Sequence, residues 1–280
     1  MTRELRLRIL SSIVMVAVVL AATWTGDLPF RGLAAVIGLA VFWEWSTMTR
    51  LGEVSIRGLA IGWLSVAVIA GNVVAGDTSL SLPLLSGFTL TLVFLTFLRR
   101  WSWWLAGGVF YAGACIVTLA SIRDDDAIGF VAMLFVFVIV WSTDIFAYFV
   151  GRTLGGPKLA PRISPGKTWS GAIGGTVAAI IGGYAVTASY FTVYGWWIPA
   201  LALVLSICSQ MGDLFESFVK RRCGAKDSSH LIPGHGGVMD RVDGLATASF
   251  AAFMIAMAVA AINNGVTDSV GGLLFDFAGH

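Results

Sequence analysis

Apolar runs recur from one end of this chain to the other, and they constrain its fold more than any other feature. The first extends from Ile9 to about Trp24. Eight more follow at roughly 30–49, 58–76, 80–98, 103–121, 128–150, 171–194, 196–219 and 245–263. A helix of about 20 apolar residues crosses roughly 30 Å of hydrocarbon. The chain is 57% hydrophobic and 12% charged, against roughly 25% charged in soluble domains. In lipid, backbone N–H and C=O groups must find partners within the chain. The predicted fold is therefore an all-α integral membrane protein, a polytopic bundle of about nine transmembrane helices. Arg3, Arg6 and Arg8 ahead of the first run give the layout of a signal peptide. That run is long for such a segment and opens a series of similar spans, so it reads as a first transmembrane helix. One integral membrane domain is expected: spans alone in 1–125, and spans with the chemistry-bearing loops in 126–280.

The basic residues orient the spans. With the N-terminus in the cytoplasm, only Arg31 and Arg123 of the 18 Lys and Arg residues fall outside. The acidic Asp124–Asp126 run and a tail holding Asp268 and Asp276 fall outside as well. The positive-inside rule selects this topology over its reverse. It predicts a plasma (inner) membrane protein with a cytoplasmic N-terminus and an outer C-terminus. Trp101, Trp103, Trp104, Trp196 and Trp197 stand at span ends, as interfacial aromatics do.

Three polar regions then face the cytoplasm. Asp144 lies near the inner end of the sixth span, where a carboxylate usually faces the bundle with a partner. The loop 151–170 carries Lys158, Arg162 and Lys167, which suit phosphate, with Ser164 and Thr168 to orient it. Its Gly-Lys-Thr is not a P-loop, because position 161 is Pro and no βαβ unit surrounds it. Gly171 and Gly175 open the next helix at the spacing of helix packing.

The third region, from Asp213 to Asp243, is the densest. On a helix Asp213, Glu216, Ser217 and Lys220 share a face. Lys220, Arg221, Arg222, Lys226 and Arg241 are then interleaved with Asp227, Asp240, Asp243, His230 and His235. Glycines at 234, 236 and 237 allow a backbone with positive φ, or one that approaches a ligand closely. A solvated basic loop needs no such pattern; a metal-held polyphosphate does. Mg²⁺ takes one or two carboxylates and completes its shell with phosphate oxygens and water. Asp213, Asp240 and Asp243 are the natural ligands. Cys115, Cys208 and Cys223 are expected as free thiols. A zinc site at Cys223, His230 and His235 lacks a fourth ligand and the usual spacing.

The run from Ser217 to Asp243 resembles the motif of the phosphatidate cytidylyltransferases, also called CDP-diacylglycerol synthases. The match falls at Ser217, Lys220, Arg221, Lys226, Asp227, His235, Gly236, Gly237, Asp240, Arg241 and Asp243. Leu-Ala-Pro-Arg-Ile-Ser-Pro-Gly-Lys-Thr-Trp, Asp144-x-x-Ala-Tyr148 and Gly-Asp213-x-x-Glu-Ser are similar to the family too. The close match covers about 144–247; the first 125 residues resemble it mainly in hydropathy.

The resemblance implies a Mg²⁺-dependent membrane enzyme of phospholipid biosynthesis that converts CTP and phosphatidate to CDP-diacylglycerol and pyrophosphate. Under that reading Asp213, Asp240, Asp243 and Asp144 hold one or two metal ions. Lys220, Arg221, Lys226 and Arg241 neutralise phosphates. Ser164, Lys167, Thr168, Ser217, Asp227, His235, Gly236 and Gly237 bind substrate. Expected partners are CTP, phosphatidate and the bilayer, not nucleic acid, and a homodimer is left open. A CTP-dependent lipid-alcohol kinase is the nearest rival, but it needs a base for a hydroxyl nucleophile. An ion transporter would place its charges near the bilayer midplane.

Overall fold

The structure, a computed structural model, describes residues 3–77, 79–124, 126–192, 195–262 and 269–276. Asp125 and Asp268, from the acidic segments expected outside, lie beyond the described residues. In order, the helices are α1 (Arg3–Thr25), α2 (Asp27–Met48), α3 (Leu51–Val54), α4 (Ile56–Ala75), α5 (Ser81–Arg99), α6 (Trp103–Arg123) and α7 (Ala127–Leu154). A short hairpin, β1 (Lys158–Ala160) and β2 (Ser164–Thr168), leads to α8 (Trp169–Tyr190), α9 (Trp197–Arg222), α10 (Met239–Ile262) and α11 (Val270–Asp276). Among the described residues, nine helices are long and apolar enough to cross a membrane. They fall on the nine predicted runs. Several helices extend further at their charged ends than the hydropathy suggests: α1 begins at Arg3, α7 continues to Leu154, α9 to Arg222, and α10 begins at Met239. Among the described residues the long elements are all helices, and an antiparallel hairpin replaces part of the expected 151–170 loop.

The chain divides into two compact units. The first comprises Met1–Ala120 and Arg222–Arg241, and the second Ser121–Arg221 and Val242–His280. In the first unit, α2 packs on α1 and α4, and α4 on α5. Its core centres on the fully buried Phe42 and Trp45 of α2, with Ile69, Leu105 and Ile116. The Trp45 ring stacks on Tyr111, and its Nε1 donates to the Trp104 carbonyl at 2.8 Å. The indole thereby buries its apolar body while its one polar atom is satisfied.

In the second unit, α7 and α8 form the most intimate pair. A Cβ at Gly171 would lie 2.6 Å from the Ala147 carbonyl oxygen, and one at Gly175 would lie 2.5 Å from that of Thr143. The small-residue spacing read from the sequence is a backbone-to-backbone helix contact. The N-cap Thr168 accepts from Gly171 N–H at 3.1 Å, which fixes where β2 ends and α8 begins. Phe135, Ile139 and Leu205 are fully buried in this unit, and α11 packs on α7.

Candidate active site

In the second unit a cavity of about 670 Å³ opens beside the hairpin. Its wall takes Asp144 and Arg152 from α7, Lys158, Lys167 and Thr168 from the hairpin, and Asp213 and Gln210 from α9. Lys167 Nζ is ion-paired with Asp213. Asp243, on α10, feels the charges of Asp213, Asp144 and Lys167. The approach of α10 to α9 requires Gly212: a Cβ there would collide with the Thr247 hydroxyl and lie 2.7 Å from the Asp243 carbonyl oxygen. Five predicted residues, Asp144, Lys158, Lys167, Thr168 and Asp213, therefore line one cavity, with Asp243 in electrostatic reach.

The other predicted residues of this unit lie elsewhere. Ser164 sits opposite Ala160 in the hairpin and is not among the cavity's lining. Lys220 pairs with Glu216 at 2.6 Å, the Glu-to-Lys spacing a helix favours. Ser217 reaches Asp213 Oδ1 at 3.4 Å, so the face predicted for α9 is formed. Arg221 is exposed. Arg152 and Gln210 are additions that sequence reading passed over, and Tyr148, named there only within a family segment, joins them. The Tyr148 hydroxyl accepts from Arg152 at 2.7 Å, and Gln210 donates to the Thr176 hydroxyl at 3.0 Å.

The first unit holds the remaining motif residues in the segment 222–241. Pro233 and Gly234, the latter at φ 77°, form a tight turn closed by His235 N–H to the Ile232 carbonyl at 2.9 Å. The His235 ring meets the Ser11 hydroxyl through Nδ1 at 2.9 Å and the Ser12 hydroxyl through Nε2 at 3.0 Å. Arg241 Nε donates to the His235 carbonyl at 3.1 Å. Asp240 Oδ2 accepts from Ser228 N–H and Oγ, both at 2.9 Å, and from Gly237 N–H at 2.8 Å. In the Gly237 bond a carboxylate of the first turn of α10 reaches back three residues to an N–H just ahead of the helix. Lys226 and Asp227 are exposed. A Cβ on Gly237 would collide with the Ser228 hydroxyl, and Gly236 sits at φ 83°. Both glycines of the motif therefore have a local structural reason.

Sequence reading also missed Glu44. It lies within α2, is fully buried, and accepts four hydrogen bonds from this same segment. The signal was available: a carboxylate inside an apolar span, the same anomaly that singles out Asp144.

Among the described residues, no three His, Cys, Asp or Glu side chains converge closely enough to hold a metal by themselves. The donor set nonetheless fits Mg²⁺, which needs only one or two protein carboxylates when phosphates supply the rest. Asp213 and Asp144 face a cavity that also presents Lys158, Lys167 and Arg152 for those phosphates.

Comparison with known proteins extends beyond the motif. Residues 6–260 match the model of the cytidylyltransferase family. A phosphatidate cytidylyltransferase of Brucella abortus is 46% identical over 249 residues, covering 88% of this chain and 91% of its own length. One from Haemophilus influenzae is 35% identical over 280 residues, covering 87% and 96%. One from Bacillus subtilis is 33% identical over 271 residues, covering 91% and 98%.

Proposed function

The chain belongs to the cytidylyltransferase family, and on that premise we propose that it transfers the cytidylyl group of CTP to phosphatidate. A phosphate oxygen of the lipid attacks the α-phosphorus of CTP. The bond from that phosphorus to the bridging oxygen breaks, pyrophosphate leaves, and CDP-diacylglycerol stays in the bilayer. The attacking phosphate is already ionised near neutral pH, so no Ser or Cys nucleophile and no strong base is required. The barrier is the approach of one anion to another, which positioning and charge neutralisation lower.

The observation that carries this reading is the composite cavity of the second unit. Its charged part shares Leu159, Ala172 and Gln210 with an apolar cavity of about 580 Å³ that Trp169, Ile173, Ile207 and Met211 help line. A charged wall continuous with an apolar one suits a phosphate headgroup whose acyl chains remain in lipid. Lys167, Lys158 and Arg152 would neutralise phosphates there, and Thr168 fixes the turn that carries Lys167. Asp213 and Asp243, with Asp144 beside them, would hold Mg²⁺. Bound there, the ion supplies further charge neutralisation on the phosphates. Lys226 and Arg241 are exposed cations on the motif segment, which belongs to the first unit, and they too suit phosphate. The distribution of basic residues supports a cytoplasmic N-terminus and cytoplasmic motif loops, the side on which CTP resides.

The test is turnover by the purified protein with phosphatidate and CTP labelled on either the α- or the γ-phosphate, with and without Mg²⁺. Label from the α-position should enter lipid, label from the γ-position should leave as pyrophosphate, and chelation should stop the reaction. Entry of γ-label into a lipid alcohol would establish the kinase instead.

A further inference from the structure

Glu44 is held differently from the other acidic groups of the motif region. Its Oε1 accepts from the Ser229 hydroxyl at 2.6 Å and the Val238 N–H at 2.8 Å. Its Oε2 accepts from the Met239 N–H at 2.7 Å and shares the single Ser228 hydroxyl proton, at 3.0 Å, with Asp240 Oδ2. The four donors come from the two ends of one loop. Ser228 and Ser229 follow Lys226 and Asp227, while Val238 and Met239 stand at the start of α10, just ahead of Asp240 and Arg241. One carboxylate thus ties both ends of the loop to α2. It also terminates two N–H groups that the first turn of α10 cannot bond internally. The enclosure is tight enough that a Cβ at Gly237 would run into the carboxylate of Glu44 as well as the Ser228 hydroxyl.

We propose that Glu44 is a positioning residue for cytidylyl transfer, acting through the loop 228–239 to set the place of Asp240 and Arg241. The proposal rests on the functional reading above. The chemistry demands two oxygens that only accept. Glutamine has one such oxygen, and its amide nitrogen would point a hydrogen at the N–H of Val238 or Met239. Glu44→Gln therefore keeps the shape of the residue and releases one end of the loop.

The experiment compares full-length Glu44→Gln and Ser229→Ala with the parent protein in detergent. It reads hydrogen exchange along the chain and kcat and KM for CTP per mole of folded protein. For Glu44→Gln, faster exchange should be confined to 226–241 while α7 and α8 stay protected. Its kcat should fall by roughly 100-fold, the scale of a misplacement of about 1 Å, with a much smaller change in KM. Ser229→Ala removes one donor without opposing two, so the same pattern should appear, weaker. Parental kcat in Glu44→Gln would overturn the proposal. So would exchange that rises evenly along the chain, since that marks a general stabiliser. If Glu44→Gln does not fold, Ser229→Ala decides, and parental exchange and kcat there would overturn it. If the parent protein itself transfers no cytidylyl group, the functional reading has failed, and the exchange data still decide whether Glu44 holds the loop.

Discussion

Asp213 and Asp240 are both carboxylates among cations, and in sequence they look interchangeable. Their surroundings separate them. Asp213 faces a cavity and is paired with Lys167, whereas one oxygen of Asp240 is committed to Ser228 and Gly237 of its own loop. Asp213→Asn should leave the protein monodisperse with its thermal midpoint nearly unchanged. Its turnover should fall by roughly 10²–10³, the usual effect of removing one electrostatic partner of a transition state. Asp240→Ala should lower turnover and, in addition, lower stability by about 1–3 kcal/mol, because two backbone N–H groups lose their acceptor. Asp240→Asn should sit between, since an amide oxygen can occupy the accepting position. Thermal unfolding and turnover on the same preparations check all three. Asp213 was legible because acids and cations cluster around it in the chain. Glu44 was not, because it stands alone in Phe-Trp-Glu-Trp and its partners begin 184 residues later. A lone intramembrane acid says that a partner exists without saying where.

At the level of elements, hydropathy located the spans well, because each is long and apolar over its whole length. It fixed some of their ends poorly. The last turns of α7 and the first turns of α10 carry polar residues, so a window of apolarity stops short of several of the proposed site residues. The hairpin was illegible for a related reason. Pro161 and Pro165 mark the segment as a loop, yet Lys158 pairs with Thr168 and Ala160 with Ser164. The crossing of α9 and α10 at Gly212 yields a direct expectation. Gly212→Ala should lower stability by about 1–3 kcal/mol through overpacking and reduce turnover, since Asp213 and Asp243 flank the contact. Adding Thr247→Ala should restore only part of the loss, because the Asp243 carbonyl oxygen still blocks the new methyl. Thermal unfolding of the single and double variants measures this.

For the whole molecule, the topology proposed from the basic residues can be checked at the motif loop. Ser228 is a poor labelling site because it is buried against Glu44 and Asp240. Leu231 is 52% exposed and serves better. Burial raises the Cys223 thiol above its usual pKa, which slows its own labelling, and replacing it removes the background. Leu231→Cys in that background should react with an impermeant thiol reagent only after the membrane is opened. Labelling in sealed cells would reverse the orientation. The union of α2 with a segment near the far end of the chain also sets a timetable for biogenesis. The partners of Glu44 follow it by 184 to 195 residues. At roughly 5–20 residues per second, a ribosome takes about 10–40 s to reach them. Throughout that interval the early spans carry a carboxylate whose final donors have not been synthesised. Nascent chains arrested before Ser228 emerges should therefore be cleared by membrane proteases faster than chains arrested after Met239 has emerged. A pulse-chase of the two arrested forms would register the difference, and Glu44→Leu, which removes the waiting acid, should erase it.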